Sequence, residues 1–426
     1  MELKHFGTAG IRGIWGQTLT QELVEKVASS ILQFNPKKVA LGYDTRQSRD
    51  TIRLAIYKIL SAQGVQILDM GIVPMTVLAY MTKQNQCDIG IMITASHNPP
   101  EHNGIKVFDA NGEQFDGKDL EKLDAGVDTA VKTMGQTDPA VPWKNFVLDK
   151  FRDVFAEKIL PNVAIDFANG AGTKIALDIL DKLGFKNIAA YNIESDGSNV
   201  NRNCGATHPN YLCTTVQLDD ECQIGFAFDG DADRCVVCDG NGVQVSPDKL
   251  LAALGLHMGC KHIVGTIQSN TGVSKYIESK GVKFHRADVG ERHVVAQLKN
   301  LITDDLTAGI GGEASSHFIF PSIVYAGESL ITMLMTLKMI VEQGKTIAEI
   351  VADIPEWAST LQNIAQEPAD CINPKFLNKG TLPFEKSFPD ARIMIRKSGT
   401  EKLTRVFVEA ETEDRVKELA EQIVKS

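Results

Sequence analysis

The chain is predicted to be an α/β protein: three similar α/β/α domains with mostly parallel mixed sheets, followed by a smaller α+β domain at the C-terminal end. Three observations predict this. Short apolar runs alternate with amphipathic patterns of helical period along most of the chain, as strands joined by crossover helices do. The order strand, helix, strand, helix, strand recurs. Each third strand also runs into a polar motif, and ligands of such sheets bind at the carboxyl ends of strands.

In the first repeat, strands are expected over 39–42 and 65–69, with a third over the apolar run 88–93 that delivers Thr94-Ala95-Ser96-His97-Asn98-Pro99 to a turn. Helices are expected over about 50–63 and 75–83, with Asp50 as N-cap of the first and Gly64 past its end. Phe6 to Gly13, with three glycines and Arg12, reads as a loop. The second repeat has strands over 163–167, 188–193 and 224–228 and a helix over 173–183. The third has strands over 263–267, 282–285 and 307–310 and helices over 272–279 and 291–298. From Trp357 onward the order becomes strand, helix, strand, strand, helix. Linkers near 137–143, 239–243 and 354–357 divide the chain into domains 1–138, 139–241, 242–354 and 355–426, carrying in turn the Ser96, acidic, sugar-type and phosphate-type motifs described below.

Composition narrows the function. With 426 residues, 43% hydrophobic and 23% charged, the chain is long enough for two to four globular domains. A net charge of −10 argues against nucleic acid as a partner, and any anionic substrate then needs a locally basic pocket. The best membrane candidate, 329–341, is too short to span a bilayer and carries Lys338, so it reads as a core helix. No apolar leader follows Met1, and eight cysteines form no dense framework. A cytoplasmic protein with reduced thiols and no membrane partner is expected, as a monomer or homodimer.

The strongest chemical signal is Asp229-Gly230-Asp231-Ala232-Asp233-Arg234. Alternate carboxylates project to one side of an extended segment. At about 5 Å and an effective dielectric of about 20, each pair repels by roughly 3 kcal/mol. A bound divalent cation resolves this, and oxygen-only ligands suit Mg²⁺. An EF-hand is excluded because Arg234 and Gly240 stand where that loop needs Gly and Glu. Arg396-Lys397-Ser398-Gly399-Thr400-Glu401-Lys402, with Arg405, offers hydroxyls, backbone N–H groups and guanidinium for a phosphate. Gly311-Gly312-Glu313-Ala314-Ser315-Ser316-His317 offers a carboxylate, hydroxyls and an imidazole suited to sugar hydroxyls. Gly344-Lys345-Thr346 is no P-loop, since position 339 is Met and no strand precedes it. Cys235-Val236-Val237-Cys238 is a lone CxxC in a β-branched run and reads as core.

Taken together, FGTAGIRG, TASHNP, DGDADR, GEASSH and RKSGTEKLTRV, in this order and over nearly the whole chain, resemble the α-D-phosphohexomutase superfamily. FGTAGIRG, the 203–209 segment NCGATHP and SGTE are most similar to bacterial phosphoglucosamine mutases. The resemblance implies a phosphosugar mutase that interconverts hexose 6-phosphate and 1-phosphate, most closely glucosamine 6-phosphate and 1-phosphate, with phosphomannomutase/phosphoglucomutase as the alternative. An inactive sugar-phosphate-binding protein and a phosphatase are rivals. Ser96 would be the phosphoserine, and Asp229, Asp231 and Asp233 would hold Mg²⁺ together with a Ser96 phosphate oxygen. Arg12, Lys106 and His317 would move protons or stabilise charge, with Arg234 beside the reacting phosphate. Glu313, Ser315 and His317 would select the sugar. Arg396, Ser398, Gly399, Thr400 and Arg405 would grip its non-reacting phosphate. A hexose 1,6-bisphosphate would be intermediate and activator. The sequence departs from the family pattern at Ala9, Asp288, Ser316 and Lys397.

Overall fold

The computed structural model describes residues 10–115, 140–376, 384–397 and 403–424. The first domain runs β1 (Ile11–Ile14), α1 (Gln21–Ile31), β2 (Lys38–Tyr43), α2 (Arg49–Ala62), β3 (Gln66–Ile72), α3 (Met75–Gln84), β4 (Ile89–Ile93) and β5 (His102–Phe108). Its sheet order is β1-β5-β4-β2-β3. β2 is parallel to β3 and β4, whereas β5 is antiparallel to β4 and β1. β4 is apolar and buried on both faces, as a central strand between helical layers must be.

The second domain runs α4 (Val141–Phe155), β6 (Val163–Asp166), α5 (Thr173–Lys182), β7 (Ile188–Tyr191), α6 (Asn210–Gln217), β8 (Ile224–Phe228) and β9 (Cys235–Asp239). Its sheet order is β7-β6-β8-β9, with only the β8/β9 pair antiparallel. The third comprises α7 (Pro247–His257), β10 (His262–Thr266), α8 (Thr271–Ser279), β11 (Lys283–Ala287), α9 (Glu291–Leu301), β12 (Gly309–Gly312), β13 (Phe318–Phe320), β14 (Val324–Gly327), α10 (Ser329–Gln343) and α11 (Ile347–Val351). Its order is β11-β10-β12-β13-β14, with β10 and β12 parallel and the following pairs antiparallel. The last domain has β15 (Ala358–Ile364), α12 (Pro368–Cys371), β16 (Phe384–Ser387), β17 (Ala391–Lys397), β18 (Thr404–Ala410) and α13 (Glu413–Ile423), in an antiparallel sheet of order β15-β18-β17-β16.

The described chain divides into two compact units. One holds the chain up to 267 with 285–351; the other holds 268–284 with 352–426. Helix α8, read from the sequence as part of the third repeat, thus groups with the last domain. Thr271 N and Oγ1 donate to the fully buried Glu409 carboxylate, at 2.9 and 2.5 Å. Asn270 accepts from Trp357 N at 3.0 Å, and Lys275 Nζ lies 4.2 Å from the Trp357 ring centre.

One regularity was not expected. In all three α/β/α domains the motif is a connection between the third strand of the repeat and an antiparallel return strand: β4 to β5, β8 to β9, and β12 to β13. Each motif is therefore anchored at both ends. Other expectations need correcting. The second half of FGTAGIRG is not loop but strand β1, in which Arg12 lies opposite Gly104 on β5. A Cβ on Gly104 would meet Ile11 O at 2.3 Å, so the close pairing needs glycine there. The α2 N-cap is Ser48 rather than Asp50, which sits in the first turn beside Arg49 and Arg53. The last domain has one strand more than predicted, β16. The apolar run 329–341 is core helix α10, and among the described residues no helix is long and apolar enough to cross a membrane. Cys235 and Cys238 are free, buried core residues of β9.

Candidate active site

Ser96 sits just past β4, fully buried, with φ +52°. Left-handed backbone costs a non-glycine residue about 1–2 kcal/mol and persists only where the surroundings enforce it. Here they do. The Thr94 hydroxyl accepts from Ser96 N at 2.8 Å and donates to Asp44 Oδ2 at 2.7 Å. Arg46, itself fully buried, donates through Nη2 to the carbonyls of Ser96 and Asn98 at 2.8 Å, and through Nη1 to those of Pro99 and His102. Its Nε donates to Asp44 Oδ2 at 2.9 Å. Asn201 Nδ2 donates to the same Ser96 carbonyl at 2.8 Å, tying the loop to the second domain. The Ser96 hydroxyl is left to donate to Asp229 Oδ2 at 2.8 Å, with His97 Nδ1 at 3.2 Å. Burial, then the Arg234 and Arg12 charges, hold the His97 imidazole neutral, with its pKa pushed down to about 4.

Asp229, Asp231 and Asp233 follow β8 and are buried, with an oxygen of each within 4.8 Å of the others. Asp229 Oδ1 accepts the backbone N–H groups of Asp233 and Arg234 at 3.1 and 3.2 Å. Burial, with Asp233 and Asp231 nearby, pushes the Asp229 carboxyl well above its ordinary range. Burial acts on Asp233 in the same direction, but His317 and Lys106 reverse it and hold that carboxyl well below the usual range. Lys106, on β5, reaches in with Nζ 2.9 Å from both Asp231 Oδ2 and Asp233 Oδ2. Burial opposes its charge, yet the two carboxylates outweigh burial and keep the ammonium protonated. Arg234 Nε lies 3.9 Å from Asp229 and Asp233 oxygens. Asp231 Oδ1 is buried and has no hydrogen-bond partner among the described residues. A solitary buried carboxylate oxygen is costly. In an oxygen-only donor set it fits a hard divalent cation such as Mg²⁺.

The third motif meets the second through the backbone. Arg234 and His317 form an antiparallel bridge, and Cys235 N donates to Ser316 O at 3.0 Å. His317 Nε2 lies 2.8 Å from Asp233 Oδ1, and its Nδ1 lies 3.2 Å from Glu313 Oε2. Burial disfavours an imidazolium here, but Asp233 and Glu313 prevail and raise the His317 pKa to about 10. Glu313 Oε1 accepts from Gly290 N at 2.8 Å. Ser315 is exposed. Ser316 has φ +65°, a conformation natural to glycine.

Of the residues picked from the sequence, Ser96, Lys106, Asp229, Asp231, Asp233, Arg234, Glu313 and His317 gather in one cluster. Arg12 Nε is buried without a hydrogen-bond partner among the described residues. In the other unit, Arg396 on β17 and Arg405 on β18 are in register across the sheet. Burial and then Arg405 lower the Arg396 pKa. Ser398, Gly399, Thr400 and Ala9 lie outside the described residues. The sequence reading missed Asp44, Arg46, His97 and Glu291. For the first two a signal existed: charged residues just past the carboxyl end of strand β2, where ligands of such sheets bind.

Three α/β/α domains whose strand-end motifs bring a buried serine against an acidic trio define an α/β enzyme built to handle phosphoryl groups. The family profile "Phosphoglucomutase/phosphomannomutase" matches in four parts: alpha/beta/alpha domain I at 3–134, domain II at 148–242, domain III at 246–357 and the C-terminal domain at 374–426. A relative named phosphoglucosamine mutase from Thermotoga petrophila is 31% identical over 435 residues, covering 99% of each chain. Another of that name from Nautilia profundicola is 34% identical over 439 residues, covering 98% of this chain and 97% of the relative. A phosphoglucomutase/phosphomannomutase family protein from Burkholderia thailandensis has the same fold, with a TM-score of 0.78 at 21% identity over 98% and 95% of the two chains. The Aspergillus fumigatus N-acetylphosphoglucosamine mutase, solved with GlcNAc-6P and magnesium, has a TM-score of 0.62 at 16% identity over 98% and 94%. The chain belongs to the phosphoglucomutase/phosphomannomutase family of phosphohexomutases, and is an isomerase of the phosphotransferring kind.

Proposed function

We propose that this protein interconverts glucosamine 6-phosphate and glucosamine 1-phosphate through phosphorylated Ser96 and glucosamine 1,6-bisphosphate. The observation that carries the mechanism is the Ser96 hydroxyl, 2.8 Å from Asp229 inside a buried acidic trio. The sugar is supported by full-length similarity to relatives named phosphoglucosamine mutase.

Phospho-Ser96 gives its phosphoryl group to O1 of glucosamine 6-phosphate. The P–O bond to Ser96 breaks as the bond to O1 forms, and the O1 proton passes, in net terms, to Ser96 Oγ. The bisphosphate then presents its 6-phosphoryl group: the P–O6 bond breaks as the bond to Ser96 Oγ forms, the Ser96 proton passes to O6, and glucosamine 1-phosphate is released. Phosphoryl transfer of this kind needs positioning and charge neutralisation more than covalent help. Asp229, Asp231 and Asp233, with an oxygen of phospho-Ser96, would hold Mg²⁺, which supplies neutralisation of phosphoryl charge when bound. Arg46 and Asn201 fix the Ser96 carbonyl, so the hydroxyl has one direction to face. Lys106, held charged, serves as a stabiliser of negative charge rather than a base. Neutral His97 beside Ser96 Oγ and the Arg12 guanidinium complete the reacting end. Glu313, Ser315 and His317 select the sugar, and Arg396, Ser398, Gly399, Thr400 and Arg405 take the non-reacting phosphate. The bisphosphate doubles as the activator that primes Ser96.

Phosphorus NMR tests this. With Mg²⁺ and a trace of glucosamine 1,6-bisphosphate, the enzyme is offered glucosamine, mannose and glucose 6-phosphates separately. Growth of the glucosamine 1-phosphate signal well ahead of the others is expected. Faster turnover of mannose or glucose 6-phosphate would replace the amino sugar with a neutral hexose. Steady release of inorganic phosphate above isomer formation would make the enzyme a phosphatase.

A further inference from the structure

His317 is enclosed by carboxylates on three elements. Glu313 holds Nδ1 at 3.2 Å and Asp233 Oδ1 lies 2.8 Å from Nε2. The third, Glu291 Oε2, lies 3.9 Å from the same Nε2. Glu291 is the first residue of α9, where the helix N-terminus favours a negative charge. The turn before it is clamped to the sugar loop through Gly290 N and Glu313 Oε1. Asp233, Glu291 and His317 bring their ligand atoms within 4.8 Å of one another. The ring has little freedom to leave: a Cβ on Gly327 would stand 2.7 Å from His317 Cδ2, so this face is closed by backbone.

Nε2 of His317 is buried and makes no aligned hydrogen bond among the described residues, with Asp233 Oδ1 beside it at 2.8 Å and Glu291 Oε2 at 3.9 Å as its two candidate acceptors. The near one, Asp233, belongs to the trio proposed to hold Mg²⁺. A carboxylate oxygen cannot give its best lone pair to both a ring N–H and a cation. A buried N–H stripped of its acceptor is costly in turn.

We propose that Glu291 is the reserve acceptor for His317: when Asp233 turns to the cation, the His317 Nε2–H passes to Glu291 Oε2, so that cation binding reorients the sugar-loop imidazole. Glu291 is a positioning residue, acting through His317. The exchange couples the acidic loop to the sugar loop without moving backbone, because the two loops are already bridged at Arg234 and His317. Loss of Glu291 leaves cation binding opposed by a buried ring N–H with nowhere to go. This inference rests on the reading of the aspartate trio as a Mg²⁺ site.

The test is calorimetric titration of Mg²⁺ into the unphosphorylated full-length protein, wild type against Glu291→Ala and Glu291→Gln. Glu291→Ala is expected to bind Mg²⁺ about tenfold more weakly, the scale of outer-shell effects on metal sites. Glu291→Gln, which keeps an acceptor, is expected to recover part of the loss. Nitrogen NMR of the His317 side chain reads the exchange in the wild type: its Nε2 signal shifts on Mg²⁺ addition, and in Glu291→Ala that shift is absent. Equal affinity in all three proteins, or an unchanged wild-type Nε2 signal at saturating Mg²⁺, overturns the exchange while leaving the Mg²⁺ site standing. Absence of Mg²⁺ binding to the wild type would instead overturn the site and the exchange together. If Glu291→Ala does not fold, the wild-type signal and Glu291→Gln decide alone.

Discussion

Arg46 and Ser96, fifty residues apart in sequence, meet through a single hydrogen bond of 2.8 Å from guanidinium to carbonyl. That bond, with the four others Arg46 makes, positions a serine whose backbone conformation is otherwise unfavourable.

Arg46→Lys keeps the charge but loses the planar fork that reaches five acceptors. The variant is expected to be destabilised by about 3 kcal/mol, the scale for breaking a buried ion pair. Turnover should fall roughly a hundredfold, a scale at which small misplacement of a reacting group acts. Urea melts and coupled assays check the two numbers; wild-type turnover would remove Arg46 from the positioning of Ser96.

Ser96→Ala removes the proposed phosphoryl carrier. Turnover should fall by roughly a thousandfold or more, as loss of a nucleophile does, while the hexose 6-phosphate affinity by calorimetry stays within a factor of a few. An unchanged rate would end the phosphoserine role.

Asp231→Asn acts where a buried carboxylate oxygen lacks a hydrogen-bond partner among the described residues. Mg²⁺ affinity is expected to drop about a hundredfold or more, at or above the top of the outer-shell scale, and activity with it. Excess chelator should reproduce the loss in the wild type. Full activity in chelator would refute the cation's role.

Glu328, at the start of α10, carries a pH dependence of its own. It caps α10 by accepting from Ile331 N and is buried, and burial raises its pKa to about 8 against that hydrogen bond's opposing pull. Between pH 4.5 and 8 the folded protein holds a proton that the unfolded chain has released. Stability from this group is complete below pH 4.5 and is lost as pH rises through 8. The loss is of order 5 kcal/mol across the window. Glu328→Gln keeps the acceptor and abolishes the titration. Denaturant melts at pH 5 and pH 8.5 should show a steeper decline for wild type than for the variant; parallel declines would assign the alkaline loss elsewhere.

The alternating repeats and strand-end motifs were legible because apolar period and polar interruption are local properties. Ser96, the aspartates and His317 were found for that reason. The return strands were not. β9 is buried at every position and shows no alternation, and β5 carries Asn103 and Lys106, which look like loop residues until their partners are seen. Arg46 was legible only by its place at the carboxyl end of β2. Four of its five side-chain acceptors are carbonyls, which any sequence supplies, and its importance lies in which ones the fold brings near. Glu291 looked like an ordinary first-turn helix acid.

The cross-ties between loops also bear on how the catalytic half breathes. Met75 N bonds to Asp231 O, Ser329 N to Ala232 O, and Cys235 N to Ser316 O, so the acidic loop is stitched by main-chain bonds to α3, α10 and the sugar loop. None of these amides can exchange its hydrogen with solvent unless several elements part together. They form one cooperative opening unit, and deuterium uptake at the three amides should follow a common rate far slower than at the rim. Among the described residues, these three bonds leave the acidic loop no way to move past Ser96 without its neighbours.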